Sequence, residues 1–359
     1  MVKMSKSSGL GFGGFLVGLG AGYVVFQTME ITRNLFAWLL ILAGAGIVAS
    51  SLLQRMSPGM RFGGLVNGVV GGLILSLIIT SGFSFFTDLG IDGAWGDYRA
   101  EETFPFEGVA TADDISLEIS TFNGYIRVYT WDSAEYSIDL TVKAKGNTDK
   151  AAEDNIDDFD VDFAESMVGG QLNLVLEHNV PATKTNLYSL LVEVHVPADA
   201  TYDTDLTASN GAISLNNLVG GVLRLSTSNG ELSFENVVAE RIIAQTSNAQ
   251  IRGDVEAPAT TLTTSNGKID LDLPCTVSGT YDLDTSNAAV ELDVSASADV
   301  GYSIDLSTSN ASVDLRLDDL EYTTNERTRK KAKTTGFDDK DVQITITGST
   351  SNGSVDVFD

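Results

Sequence analysis

A short motif, Ser-Asn followed by Gly or Ala, recurs through the second half of this chain and constrains its fold more than any other feature. A spacing near 20 residues is typical of repeat architectures, in which each unit buries its apolar face against its neighbours. The last spacing is about two periods, which predicts that one repeat has lost its motif. The motif asparagines are Asn210, Asn229, Asn248, Asn266, Asn287, Asn310 and Asn352.

Apolar residues keep a constant phase relative to these asparagines, and a threonine stands two positions before six of them. Alternation of apolar and polar residues predicts strands with one buried face. Each repeat is therefore expected to contain two short strands that join at the asparagine, with the threonine facing inward. The apolar positions three residues after the asparagine are Ile213, Leu232, Ile251, Ile269, Val290, Val313 and Val355. The threonines are Thr227, Thr246, Thr264, Thr285, Thr308 and Thr350.

Two all-β folds fit this pattern. Asn-Gly between alternating apolar residues is a strong signal for a hairpin, which would give an antiparallel meander. A type I′ turn needs positive φ at both central residues, however, and Ala249, Ala288 and Ala311 follow the asparagine in three repeats. We therefore favour a β-solenoid of coils of about 20 residues, in which only the asparagine is left-handed and the asparagines and threonines stack into structural ladders.

The predicted domain order is a three-helix membrane anchor over residues 1–90, a linker over 91–103, a β-rich N-terminal cap over 104–207 and the solenoid repeats over 208–359. The anchor is indicated by three uncharged stretches at 7–29, 34–54 and 62–87, since roughly 20 apolar residues span a bilayer as a transmembrane helix. A cleaved signal peptide is the alternative for the first stretch. The positive-inside rule predicts a cytoplasmic N-terminus in the cell membrane and an extracellular segment from about residue 88 to 359.

Glycines recur every fourth residue in the first and third uncharged stretches. This spacing places them on one helix face, where small side chains allow close helix packing within one chain or between copies in a homo-oligomer. The general abundance of glycine in membrane helices is an equally good explanation. The glycines are Gly14, Gly18 and Gly22 in the first stretch, and Gly64, Gly68 and Gly72 in the third.

The charge distribution excludes one class of partner. The chain has a net charge of −27, and residues 88–359 hold 48 acidic and 17 basic residues, a net of −31. Nucleic acids are recognised through Lys and Arg contacts to phosphate, so we expect no nucleic-acid partner. A surface this acidic suits a salt-rich exterior, where screening weakens its self-repulsion, and suggests a prokaryotic source.

Three sequence segments together resemble a known family. They are GYIRVYTWD, VEVHVPADATYDTDLTASNGAISL and the tandem TSN-G/A repeats, and they resemble the putative-adhesin family of β-strand-repeat proteins of unknown function, over residues 104–359. The resemblance implies a β-helical protein attached to the membrane at the cell envelope. It supplies no catalytic residue.

Candidate sites for chemistry are few. Asp158, Asp160 and Asp162 could bind Ca²⁺ through oxygen ligands, although the alternating phenylalanines around them favour a strand with a solvated acidic face. The basic run at 327–333, RTRKKAK, is either a solvated loop or a loop that binds an anionic glycan, a lipid or the acidic face of another copy. No catalytic constellation, cofactor motif or convincing metal site is present.

The predicted function is therefore binding without catalysis. We expect a membrane-anchored surface module for adhesion or envelope scaffolding, with a surface glycan or an envelope protein as partner and no cofactor. An envelope-stress sensor or regulatory membrane protein is the alternative, and a polysaccharide-active enzyme is a third.

Overall fold

The computed structural model describes residues 98–359 and, before them, the isolated positions 16, 17, 19, 66, 69, 70 and 73. Residues Tyr98–Lys145 together with Asp149–Asp359 form one compact unit. The strands and the helix α1 of this unit are β1 Tyr98–Val109, β2 Asp114–Ser120, β3 Gly124–Trp131, β4 Glu135–Lys145, α1 Asp149–Asp157, β5 Val161–Val168, β6 Gln171–His178, β7 Tyr188–Pro197, β8 Thr201–Thr207, β9 Ala212–Asn216, β10 Val219–Ser226, β11 Leu232–Gln245, β12 Ile251–Glu256, β13 Ala259–Thr264, β14 Ile269–Leu273, β15 Gly279–Thr285, β16 Val290–Val294, β17 Val300–Thr308, β18 Val313–Arg316, β19 Leu320–Asn325, β20 Arg329–Thr334, β21 Val342–Thr350 and β22 Val355–Phe358.

Equivalent strands of neighbouring repeats pair in parallel and in register. One row of strands runs from β2 through β8, β10, the end of β11, β13 and β15 to β21 and β17. The other row runs from β3 through β9, the start of β11, β12, β14 and β16 to β22 and β18. The long strand β11 belongs to both rows, so the two rows are parts of one 22-stranded sheet.

The spatial order of the strands departs from the chain order at both ends. The β2–β3 segment lies between β6–β7 and β8–β9. The final segment, β21–β22, lies between β15–β16 and β17–β18. Antiparallel pairs complete the sheet at its margins, namely β1 with β4, β4 with β7, β5 with β6, β17 with β20, and β19 with β20.

The predicted β-solenoid behind a separate N-terminal cap is therefore wrong, although the fold is mainly β. The prediction assumed consecutive coils that stack in chain order, whereas the sheet is mixed and its segments are rearranged at both ends. Residues assigned to a cap pair directly with the repeats, because β2 and β3 have the same alternation as the later strands. Strand β1 also begins within the predicted linker, at Tyr98. The stretch between Asn310 and Asn352, where a repeat without its motif was expected, instead contains the hairpin of β19 and β20.

Inward-facing side chains fill the space between the rows with a continuous apolar core. Nearly every residue at the repeat's apolar positions is fully buried, including Leu117, Val192, Leu225, Leu262 and Leu292. Burial of Leu, Ile and Val contributes about 1.5–3 kcal/mol each, and the parallel register places like residues over like. The repeated alternation in the sequence thus fixes the register of the pairing, since a shift of one residue would turn the apolar side chains outward.

The membrane predictions need correction. Within the described part of the chain, no helix has the length and apolar character needed to cross a bilayer; the helix α1, Asp149–Asp157, has nine residues. Apart from the isolated positions 16, 17, 19, 66, 69, 70 and 73, the predicted spans at 7–29, 34–54 and 62–87 lie outside the described residues, as do the glycines Gly14, Gly18, Gly22, Gly64, Gly68 and Gly72. The three transmembrane helices, the integral-membrane partner, oligomerisation through glycine-rich helices and the extracellular placement of residues 88–359 are consequently not supported.

Candidate functional site

The motif asparagines form a continuous row of side-chain hydrogen bonds along one edge of the sheet. Each Nδ2 donates to the Oδ1 of the preceding member at 2.6–2.8 Å. The row begins at Asn123, which the sequence marks only by an isolated Phe-Asn-Gly, and its spatial order is Asn123, Asn210, Asn229, Asn248, Asn266, Asn287, Asn352 and Asn310. All seven motif asparagines are exposed to solvent, which weakens the net contribution of each bond to stability.

The threonines of the motif lie beneath this row and are buried. Thr264 Oγ1 donates to the carbonyl oxygen of Ala249 in the neighbouring repeat at 3.1 Å and accepts the backbone N–H of Gly267 at 3.1 Å. One hydroxyl thus closes the turn of its own repeat and also joins that turn to the neighbouring repeat. The same donation to the neighbouring repeat occurs at Thr227, Thr246, Thr285, Thr308 and Thr350.

The conformation of the turn differs from the one expected. Outside glycine, positive φ occurs among the described residues at Asn217, Asn236, Cys275 and Asp319, and none of these is a motif asparagine. The glycine after the asparagine is required in some repeats by close packing: a Cβ at Gly267 would lie 1.6 Å from the carbonyl oxygen of Ala249. The turn is therefore neither a type I′ hairpin nor a left-handed asparagine bend.

A column of carboxylates crosses the outer surface of the second strand row. Asp254 lies directly opposite Asp272, and Asp272 lies opposite Asp293. A surface groove of about 460 Å³ above this column is lined by Asp254, Asp272, Glu235 and Arg252, among others. Asp272 is exposed, but desolvation of its carboxyl group among the neighbouring side chains, followed by the hydrogen bond with Asp254, raises its pKa. The fold therefore favours the protonated form of this carboxyl group.

We expect the Asp272→Asn variant to be more stable than the parent chain at pH 7. A raised folded-state pKa means that the folded chain holds the proton more tightly, so the favourable contribution of Asp272 is present at low pH and is lost as pH rises through the folded pKa. The amide removes this loss and can still donate to Asp254. Thermal melts should show the gain at pH 7 and its disappearance near pH 3. Asp318→Asn, an exposed position outside the column, is the control. A gain that persists at pH 3 would contradict this explanation.

An aromatic patch lies on the outer face of β3 and β7. His195 stacks on Tyr129 with ring centroids 5.4 Å apart and an interplanar angle of 20°, and its centroid is 5.3 Å from that of Trp131. All three side chains are partly exposed. On the same face, Tyr125 donates its hydroxyl to Glu193 at 2.9 Å and the guanidinium of Arg127 lies 4.0 Å from the Tyr125 ring centre. We call Tyr129, His195 and Trp131 the aromatic strip.

The aromatic strip ends at a corner cavity of about 360 Å³. Three turns meet there: the β1–β2, β3–β4 and β7–β8 connections. Each turn contributes one exposed aspartate, respectively Asp113, Asp132 and Asp199, and Trp131 lines the same space. The remaining lining is small, being Ala110, Ala112, Ser133, Ala134, Pro197, Ala198 and Ala200. Small side chains leave the corner open, and neither Lys nor Arg is among its described lining residues.

Sequence reasoning missed this corner. Its signal was present in GYIRVYTWD, where strand alternation places Tyr125, Tyr129 and Trp131 on the face opposite the buried Ile126 and Val128. Strand alternation alone does not show which turns meet at a corner. Because parallel strands end at the same edge, the registered pairing of β3 with β7 brings Asp132 and Asp199 together.

The other predicted candidates do not assemble into sites. Asp158, Asp160 and Asp162 are exposed, and no group of three or more His, Cys, Asp or Glu suited to a metal ion occurs among the described residues. Phe159 and Phe163, which alternate with them, pack against the core.

Most of the basic run forms the strand β20 in a hairpin at the end of the sheet, and its first two residues lie in the turn before that strand. Arg329 and Lys331 both form ion pairs with Asp305. The turn before β20 accepts the backbone N–H groups of Thr308 and Val313 through the carbonyls of Thr328 and Arg327. These contacts give part of the run a structural role in covering the last repeat.

Comparison with known proteins finds likeness only at the level of solved structures. No family model matches the chain, and no curated protein matches it. A "putative cell adhesion protein" from Clostridium sporogenes has a TM-score of 0.33 and 9% identity, covering 72% of this chain and 99% of its own. A "putative adhesin" from Bacteroides fragilis has a TM-score of 0.34 and 9% identity, covering 73% and 100%. A "Putative lipid binding protein" from Parabacteroides distasonis has a TM-score of 0.25 and 12% identity, covering 73% and 98%.

Structural neighbours of this chain thus include proteins named as adhesins, in keeping with the coarser part of the resemblance seen in the sequence. Membership of the adhesin family is not shown, because no family model matches. Similarity this low carries no argument about function, which has to come from the site itself.

Proposed function

We propose that this chain is a glycan-binding module of the adhesion type, acting by binding rather than catalysis. The observation that carries the proposal is the aromatic strip, Tyr129, His195 and Trp131, which continues into the corner cavity. Aromatic side chains combine a large apolar surface with a polar group. A pyranose ring matches them, because it has apolar C–H faces and a rim of hydroxyl groups.

The polar groups beside the aromatic strip suit such a ligand. Asp132, Ser133 and Asp199 line the cavity and can accept or exchange hydrogen bonds with sugar hydroxyls. A cavity of about 360 Å³ is at the lower end of the usual range for small-ligand sites, about 300–1,000 Å³. This size suits one sugar unit, with the neighbouring units of a longer glycan lying across Tyr129 and His195.

The negative charge of the protein limits the class of glycan that is expected to bind. Residues 88–359 carry a net charge of −31, from 48 acidic and 17 basic residues. Such a surface repels sulfated or uronic glycans and favours neutral or positively charged ones. That the chain is not an enzyme remains a prediction, as does a role in adhesion or envelope organisation.

A glycan array probed with the purified full-length chain tests the proposal. We expect retention of a subset of neutral or amino glycans, and a loss of at least tenfold in affinity for Trp131→Ala, since each ring removed deletes stacking area. Tyr129→Ala provides a second variant, and melting curves show whether each remains folded. Tyr322→Ala removes a partly exposed tyrosine on the distant β19 and should bind like the parent. Absence of any bound glycan, or equal binding by the strip variants, would refute the proposal.

A further inference from the structure

The corner cavity is lined by negatively charged side chains, a property that the aromatic strip alone does not explain. Its charged lining consists of three aspartates, Asp113, Asp132 and Asp199, and each comes from a different turn. In the described part of the chain, none of the three forms an ion pair. The positive charges that balance other acidic positions, such as Arg329 at Asp305, have no counterpart here.

The carboxylate of Glu193 differs from those of the corner aspartates in having partners within the protein. Glu193 lies on the same outer face, where it accepts the Tyr125 hydroxyl at 2.9 Å and lies 3.6 Å from Arg127. Its carboxylate is therefore already engaged by groups of the protein. The corner aspartates are available to a ligand, and their three negative charges are held around one space by the backbone of three turns.

An aromatic ring in such a setting favours a cation. The face of an indole ring is electrostatically negative and attracts ammonium groups by about 0.5–2 kcal/mol, depending on desolvation. Carboxylates near the same point add Coulombic attraction, which is larger at a partly enclosed surface than in bulk water. Trp131 and the three aspartates line one cavity, so both effects act on the same ligand group.

We propose that the corner cavity binds the free ammonium group of an amino sugar, so that the preferred ligand is a glycan with unacetylated amino groups. This inference rests on the proposed glycan-binding function and specifies the ligand class. The aromatic strip contacts the pyranose rings, while Asp113, Asp132 and Asp199 receive the ammonium group. An N-acetyl group is uncharged and bulkier, and it loses the attraction of all three carboxylates.

Calorimetry with the full-length chain can test this at a pH low enough to keep the sugar amines protonated. The probes are hexamers of glucosamine, N-acetylglucosamine and glucose. We expect the glucosamine hexamer to bind at least tenfold more tightly than the other two. Asp132→Asn and Asp199→Asn, combined in one chain, should reduce that ratio to near one. Both positions are exposed turn residues, so the variant should retain the fold.

A charge-matched control separates the cavity from the general acidity of the surface. Asp318→Asn combined with Asp339→Asn removes the same charge at exposed positions outside the cavity, and it should leave the ratio unchanged. Equal loss in both double variants would overturn the inference in favour of a diffuse electrostatic effect. Equal binding of all three hexamers would overturn it while leaving the glycan-binding proposal intact. Absence of binding by every hexamer and every array glycan would overturn both.

Discussion

The Gly267→Ala variant should unfold at a temperature roughly 10 °C below that of the parent chain, corresponding to a loss of about 3 kcal/mol or more. A methyl group at Gly267 would lie 1.6 Å from the carbonyl oxygen of Ala249 and 2.2 Å from its carbonyl carbon. Both atoms belong to the backbone of the neighbouring repeat, so no side-chain rotation relieves the overlap. The repeats would have to separate locally, which weakens the hydrogen bonds of the adjoining turns.

The control for this variant comes from the next repeat in the sheet. Ala288 occupies the position equivalent to Gly267, since both follow the motif asparagine. Ala288→Gly only removes a methyl group that the fold accommodates, and it should cost about 0.5–1 kcal/mol through backbone entropy. Thermal melts of both variants under identical conditions give the comparison. An unchanged melting temperature for Gly267→Ala would show that the turns can move apart at no cost.

The Thr264→Val variant should lose about 2–3 kcal/mol of unfolding free energy. Valine keeps the shape of threonine but removes the hydroxyl that donates to Ala249 O and accepts from Gly267 N–H. Thr264 is only 2% exposed, and each buried polar group left unsatisfied costs about 1–3 kcal/mol. Denaturant titration measures the loss. Hydrogen exchange at the Gly267 amide should also accelerate, which a general packing defect would not restrict to that site.

Two neighbours of Thr264 provide controls in the same repeat. Thr263→Val makes the same chemical change on an exposed side chain and should be nearly neutral. Asn266→Ala interrupts the asparagine row, but Asn266 is exposed, so water can replace its partners and the loss should stay below about 1 kcal/mol. A loss at Asn266 equal to that at Thr264 would mean that the exposed row stabilises the sheet as strongly as the buried hydroxyls.

The repeating pattern predicted the parts of the fold that depend on local alternation. The apolar phase around Asn229 indicates which residues of β10 and β11 face inward, and Thr227 is buried as its position suggests. Parallel register follows because equivalent residues bury best over one another. The prediction of a left-handed asparagine was wrong, because no motif asparagine has a positive φ. The glycine that follows, as at Gly267, is required by its close contact with the neighbouring repeat and not by its own φ.

The spatial order of the strands at the two ends of the sheet could not be predicted from the same alternation. Nothing local in β21 and β22 says that they pair with β15 and β16 as well as with β17 and β18, because all these strands have the same alternation and would fit several neighbours. The corner cavity was hidden for a related reason. Asp113 and Asp199 are 86 positions apart in the chain (199 − 113), and they meet only through the pairing of β2 with β8.

The interior position of β21–β22 has a consequence for how the chain is made. Synthesis delivers β17 and β18 before β21 and β22, so this repeat has no parallel neighbour until β21 and β22 have been made. Pairing between β15 and β21 joins positions as far apart as Gly279 and Ile344, and contacts of such separation slow folding. The strands β21 and β22 therefore join the segments on either side, and β15–β16 and β17–β18 can be held together only after β21 and β22 have been synthesised.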